Sequence, residues 1–255
     1  MDFSLDENIA VGYKSKSQKI RVMSEDWVAK NIYCPCCGNL HIRSLENNKP
    51  VSDFQCDNCG EVFELKSKEG NIGRKIADGA YSTMIERITS VTNPELILMQ
   101  YSKDYTVFNL TLIPKFFFVP EIIEKRKPLS PDAKRAGWVG CNILYSNIPE
   151  QGKIKIIENR QLKAIDNVVN QYKHIKQLQT DSIESRGWLI DVLNCVNSIP
   201  RKDFSLIDVY KFTDELQKKH IDNHNVQAKI RQQLQLLRDK GFIEFTERGH
   251  YRKLY

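Results

Sequence analysis

The sequence predicts an α/β core with a mixed sheet and a cysteine-rich insertion, followed by a smaller module of three helices and a β-hairpin. Three observations lead there. Strand-like apolar runs alternate with helical patterns up to about residue 180, which suggests an α/β layer arrangement. Five of the 7 cysteines fall between positions 34 and 59. Beyond residue 183 the pattern becomes helix, helix, helix, strand, turn, strand. The expected domains are therefore 1–180 and 183–255.

The elements follow in order. Ile20, Met23, Trp27 and Val28 recur at helical spacing within Ser17–Asn31. Val62–Lys66 is a short strand after the cysteines. Ile72–Ser90 is expected to be a helix, with Ile76, Ala80, Met84, Ile85 and Ile88 on one face and Gly79 as its weak point. Glu95–Ser102, Tyr105–Ile113 and Phe116–Val119 read as strands, punctuated by Pro94, Pro114 and Pro120. Residues 121–138 form a basic, proline-bearing loop. Cys141–Tyr145 and Lys153–Ile157 are further strands, and Asp166–Leu178 a helix. The polar segment Gln179–Ser185 closes the core. Ile183–Ile199 then starts the second module, with Trp188, Leu189, Val192, Leu193 and Val196 inward. Asp203 or Ser205 can cap Leu206–Lys219, and Asn225 can cap Val226–Lys240, which Gly241 ends. Phe242–Phe245, a turn at Gly249 and His250–Tyr255 complete a strand–turn–strand. Three helices and a hairpin in this order describe a winged helix-turn-helix.

Charge and cysteine usage narrow the functional classes. The net charge of +6 is compatible with a polyanionic partner without demanding one. Basic residues cluster at Lys115–Arg135 and Lys229–Lys253. No stretch approaches the roughly 20 apolar residues of a membrane span. The first ten residues, MDFSLDENIA, lack the basic and apolar regions of a secretory signal, so the expected compartment is the cytoplasm. An odd cysteine count in a reducing compartment speaks against a disulfide framework and for a metal.

Cys34 and Cys37 have two residues between them, as do Cys56 and Cys59. A two-residue spacer lets the backbone curl so that both sulfurs of a pair face one point. Two such pairs supply the four thiolates of a tetrahedral zinc. Gly38 and Gly60 follow the second cysteine of each pair, where a knuckle often needs positive φ. Four protein ligands leave no position for water, so this zinc is expected to be structural. Cys36, beside Cys37, is a possible competitor.

Asp53 is followed, after a spacer, by Glu64, Leu65 and Lys66. Phosphodiester hydrolysis needs carboxylates to hold magnesium, a water nucleophile, and a cation near the water or the scissile phosphate. On a strand, Glu64 and Lys66 share a face. Asp53 reaches them if the chain folds back, and the Cys56–Cys59 knuckle sits where that turn must be. The pattern resembles the PD-(D/E)xK nuclease motif, and the expected core is of that α+β type. A bare match is weak, because charged residues on a solvated strand also produce it. The strand–helix context strengthens it.

In the helix-turn-helix the third helix enters the major groove. Its polar set includes Gln227, Lys229, Arg231, Gln232, Gln233, Gln235 and Arg238. Gln can read adenine and Arg guanine by paired hydrogen bonds. The hairpin, with Arg252 and Lys253, is expected on the phosphate backbone. Trp138, beside Arg135 in the basic loop, either stacks on a base or packs in the core. Trp27 and Trp188 sit at core positions.

Taken end to end, the chain resembles the DpnI-type methyl-directed (type IIM) restriction endonucleases. The resemblance is carried by YCPCCG (33–38), ENNKP (46–50), DFQC (53–56), FELKSK (63–68), DGAYSTM (78–84), KPLSP with RAGWVGCNI (127–143), SRGW (185–188), IRQQLQLLRDK and GHYRKLY. It implies a type II site-specific deoxyribonuclease that cuts duplex DNA at GATC when adenine carries a 6-methyl group, with both domains touching the site. It implies Asp53, Glu64 and Lys66 as catalytic residues, the Leu65 carbonyl as an added magnesium ligand, Cys34, Cys37, Cys56 and Cys59 on zinc, and Trp138 on the methyl group. Cys36 departs from the family's knuckle. The competing class is a zinc-ribbon and winged-helix regulator that binds DNA without cutting it, and only Asp53, Glu64 and Lys66 separate the two.

Overall fold

In the computed structural model, which describes residues 1–45, 52–90, 93–180 and 182–255, the Ser15 hydroxyl accepts from the Gln18 amide and caps the first long helix. The ENNKP motif and Asp181 of the polar segment lie outside the described residues. The elements up to residue 176 are α1 (Lys16–Asn31), β1 (Arg43–Ser44), β2 (Phe54–Gln55), β3 (Val62–Glu69), β4 (Ile76–Ala80), α2 (Tyr81–Thr89), β5 (Glu95–Tyr101), β6 (Val107–Ile113), β7 (Ile123–Lys125), β8 (Gly140–Ile143), β9 (Ile154–Glu158), β10 (Gln161–Leu162) and α3 (Ile165–Lys176). Then come α4 (Ile183–Ser198), β11 (Asp203–Ser205), α5 (Leu206–Tyr210), α6 (Thr213–Lys219), α7 (Val226–Asp239), β12 (Ile243–Glu247) and β13 (His250–Lys253).

The chain divides into two units. The first comprises Met1–Ile76, Ser82–Lys115 and Glu150–Lys176. Its sheet runs in the order β1-β2-β3-β5-β6-β9-β10. The β3–β5 pairing is parallel, from Phe63 opposite Glu95 to Glu69 opposite Tyr101, and the others are antiparallel. The sheet is mixed, as expected. A parallel pair needs a crossover, and α2 lies in it. Every residue of β5 is buried, so both of its faces are covered. Trp27 and Val28 of α1, with Phe54 and Phe63, belong to this core.

The second unit comprises Ala77–Tyr81, Phe116–Pro149 and Gln177–Tyr255. It carries one three-stranded sheet in the order β4-β8-β7 and another in the order β11-β13-β12. In the latter, β12 and β13 form the expected hairpin, with Gly249 at φ 75° in the turn. Trp188 is buried in α4 and stacks on His220, ring centroids 3.8 Å apart.

Several expectations are corrected. Ile72–Ser90 is not one helix: Ile76–Ala80 is a strand beside β8, and the helix starts at Tyr81. Asp78-Gly79 is a poor helix interior, and the strand pairing outweighs the apolar spacing. Phe116–Val119 is no strand. Its four buried side chains sit where two short 3-10 turns meet, Lys115–Phe117 and Pro120–Ile122. An apolar run this short does not fix its own backbone, and the prolines on either side restrict it. Leu206–Lys219 is two helices, and the Thr213 hydroxyl donates to the Tyr210 carbonyl at the break. Ser205, not Asp203, is the cap, in a reciprocal box with Asp208. Asp203 belongs to β11, a strand too short for periodicity to reveal.

Candidate active site and metal centre

The two cysteine knuckles fold alike. Gly38 N–H donates to the Cys34 carbonyl at 2.8 Å, and Gly60 N–H to that of Cys56 at 2.9 Å. Both glycines have positive φ, 83° and 74°. The four sulfurs of Cys34, Cys37, Cys56 and Cys59 lie within 4.8 Å of one another. Two of the separations, Cys34 to Cys59 and Cys37 to Cys56, are 3.7 Å. Zinc bound to thiolates at about 2.3 Å has a tetrahedral edge of about 3.8 Å, so the cluster fits a zinc ion. Cys36 is not one of the four. It is buried, and its side chain leads in lowering the Cys34 thiol to about 5. Burial pushes the thiol of Cys36 itself up.

The second knuckle joins β2 to β3, and Asp53 immediately precedes β2. Asp53 N–H donates to the Phe63 carbonyl at 2.8 Å. The Asp53 carboxylate accepts from the Leu65 amide at 2.7 Å. This brings Asp53 to the stretch of β3 that carries Glu64 and Lys66. Burial raises the Asp53 carboxyl above its ordinary range; the Leu65 hydrogen bond opposes this, and the charge of Glu64 adds to it. Lys66 Nζ lies 2.9 Å from Glu64 Oε1. Two neighbouring carboxylates with hard oxygen donors suit a divalent cation such as magnesium.

Sequence reasoning missed three residues here. Arg87, from α2, donates to Glu64 Oε2 at 3.1 Å. Arg21 and Glu25 of α1 pair at 2.6 Å; the charge of Arg21 lowers the Asp53 carboxyl, and the charge of Asp53 raises that of Glu25. No motif flags any of the three, because tertiary packing alone brings their helices to β3.

The residues expected to touch DNA are scattered among different settings. On α7, Arg231, Gln232 and Gln235 are exposed and Lys229 is half-buried. Arg231 donates to the Tyr210 hydroxyl. Gln233 is 1% exposed, so it belongs to the inward face and not to the polar set. Arg252 is exposed, and ion pairs with Asp203 at 2.6 Å and Glu244 at 3.5 Å hold it. Lys253 is corrected: it is buried, and its Nζ donates to the Ile199 carbonyl, which takes it off the phosphate-facing surface. Trp138 is half-buried, with the Arg135 guanidinium 4.5 Å from its ring centroid. The indole lies on Gly140, where a Cβ would come within 2.8 Å of the ring. Glycine there lets the Trp138 indole pack closely on β8.

A helix-turn-helix module joined to a mixed sheet that carries paired carboxylates and a lysine marks a class, the DNA-acting nucleases. The model of the Dam-replacing family, DpnI, matches residues 1–181, and that of the Dam-replacing HTH domain matches residues 184–253. The chain belongs to the Dam-replacing family, a family of methyl-dependent restriction endonucleases. A match over both halves does not favour the regulator that binds without cutting. Among the described residues, no helix is long and apolar enough to cross a membrane.

Proposed function

We propose that this chain is a magnesium-dependent type II restriction endonuclease that cleaves duplex DNA at GATC sites whose adenine carries a 6-methyl group. Residues 1–180 are the endonuclease domain and 183–255 the winged-helix domain. The observation that carries the reading is the hydrogen bond from the Leu65 amide to Asp53, beside Glu64 and Lys66, in a chain of this family. Asp53, Glu64 and the Leu65 carbonyl would hold the magnesium. Bound there, magnesium offsets the negative charge that builds on the phosphoryl group and eases attack by water. Asp53 arrives with its carboxylate already aimed by the backbone, so little reorganisation is needed. Lys66 orients the attacking water or takes up charge on the phosphate. Trp138 offers an apolar plane to the methyl group, which projects into the major groove. Burial of one methyl is worth about 0.8 kcal/mol, a few-fold preference, so a second contact from the winged helix supplies the rest. There, Lys229, Arg231, Gln232, Gln235 and Arg252 are the residues proposed to face DNA.

The test is cleavage of plasmid carrying 6-methyladenine at GATC beside the same plasmid unmethylated, with magnesium. Cutting confined to methylated GATC supports the reading. No cutting of either plasmid by folded, zinc-loaded protein defeats it.

A further inference from the structure

Glu64 is held from two sides. Lys66 Nζ lies 2.9 Å from Oε1, and the Arg87 guanidinium donates to Oε2 at 3.1 Å. The two cations come from different elements, Lys66 from β3 and Arg87 from α2. The Arg87 and Glu64 side chains are 15% and 20% exposed, so solvent screens their contact less than that of a surface pair. Nearby, Arg21, paired with Glu25, acts on Asp53. Two cations, Lys66 and Arg87, thus already meet Glu64, and the charge of Arg21 reaches Asp53. A divalent ion would add two positive charges beside them, and a DNA phosphate offsets one of these.

We infer that Arg87 makes metal binding depend on DNA, by neutralising Glu64 until a phosphate enters the site. The inference rests on the proposed magnesium site. Arg87 acts through Glu64 and is a positioning residue. The free protein takes a divalent cation weakly, and the DNA complex takes it tightly. By linkage, the factor by which DNA raises metal affinity is the factor by which metal raises DNA affinity. Even at the dielectric of bulk water, about 80, a single charge about 6 Å from a divalent ion is worth about tenfold in affinity, and at an effective dielectric of about 20 it is worth more. The hydrogen bond that steadies Glu64 works in the opposite direction and is smaller.

The experiment titrates full-length, zinc-loaded protein with Mn2+ and reads the free ion by electron paramagnetic resonance, without DNA. Methylated duplex is then titrated in the presence and absence of Ca2+. Arg87→Gln, which drops the charge but keeps a donor, should bind Mn2+ at least about tenfold tighter than wild type. Ca2+ should strengthen its DNA binding less than it does for wild type. Arg87→Lys, which keeps the charge, should stay near wild type in both. A damaged fold loosens a metal site, so tighter binding is not a symptom of misfolding. Equal or weaker Mn2+ binding by Arg87→Gln overturns the inference, as does an Arg87→Lys that tightens as much as Arg87→Gln. Should Arg87→Gln not fold, Arg87→Met takes its place under the same criteria. Asp53→Asn separates the two levels. If it leaves Mn2+ binding unchanged, the magnesium site is misplaced. If it abolishes binding while Arg87→Gln fails to tighten it, only the role of Arg87 falls.

Discussion

The Leu65 amide donates to the Asp53 carboxylate at 2.7 Å, which ties two halves of a site that are twelve positions apart in the chain. Glu64 and Lys66 flank the donor. Any change at Asp53 is therefore felt by the strand that carries both.

Asp53→Ala should reduce cleavage below detection, because it removes a metal ligand, and leave DNA binding intact or tighter by relieving repulsion with phosphate. Lys66→Ala should also stop cleavage with the fold retained. A cleavage assay on methylated duplex, run beside a gel shift in calcium, checks both. Wild-type cleavage by both variants would place the active site elsewhere.

Zinc should stabilise the first unit by an amount on the order of 10 kcal/mol. Metal analysis should find about one zinc per chain. Cys56→Ser with Cys59→Ser should lower the melting temperature sharply and abolish activity. Unchanged melting would rule the metal role out.

Glu95 gives a pH prediction. It is fully buried, accepts from the Tyr172 hydroxyl at 2.8 Å, and burial raises its carboxyl from 4.5 to about 7. The folded chain then binds a proton that the unfolded chain releases. Stability from this group is present below pH 4.5 and is lost as pH rises through about 7. Denaturant melts of Glu95→Gln should show a flatter stability profile across that window than wild type. Parallel profiles would refute the assignment.

On the winged helix, Arg231→Ala and Gln232→Ala should reduce preference for the target site. Lys253→Ala should behave differently. Its amine serves the Ile199 carbonyl, so the variant should lose about 1–3 kcal/mol of stability while the salt dependence of DNA binding stays near wild type. A smaller salt slope for Lys253→Ala would show that it meets phosphate after all.

The cysteine cluster was legible because each knuckle is local: two residues and a glycine define it, and the structure brings the same four sulfurs together. The strand carrying Glu64 and Lys66 was legible from alternation, though it runs on to Glu69. Arg87, Arg21 and Glu25 were not, because nothing in a helix's own sequence says which strand it will cover. Lys253 misled for a related reason. A basic residue on the hairpin suggests a phosphate contact, yet β13 sits at the centre of its sheet and turns that side chain inward. Gly79 has the look of a flaw in a helix only while its segment is taken as one; it belongs to a strand.

The position of the zinc knuckles also bears on the order of assembly. All four thiols lie between residues 34 and 59, so they are complete before β5 has been synthesised. Only two residue pairs join β2 to β3, too few to persist alone in water. Metal capture can fasten that hairpin early, giving the later strand β5 an edge on which to pair in parallel. Parallel pairing is slow because its loop must close first. A chain made in zinc-poor conditions would thus fail at the first step of building its sheet, well before any chemistry is asked of it.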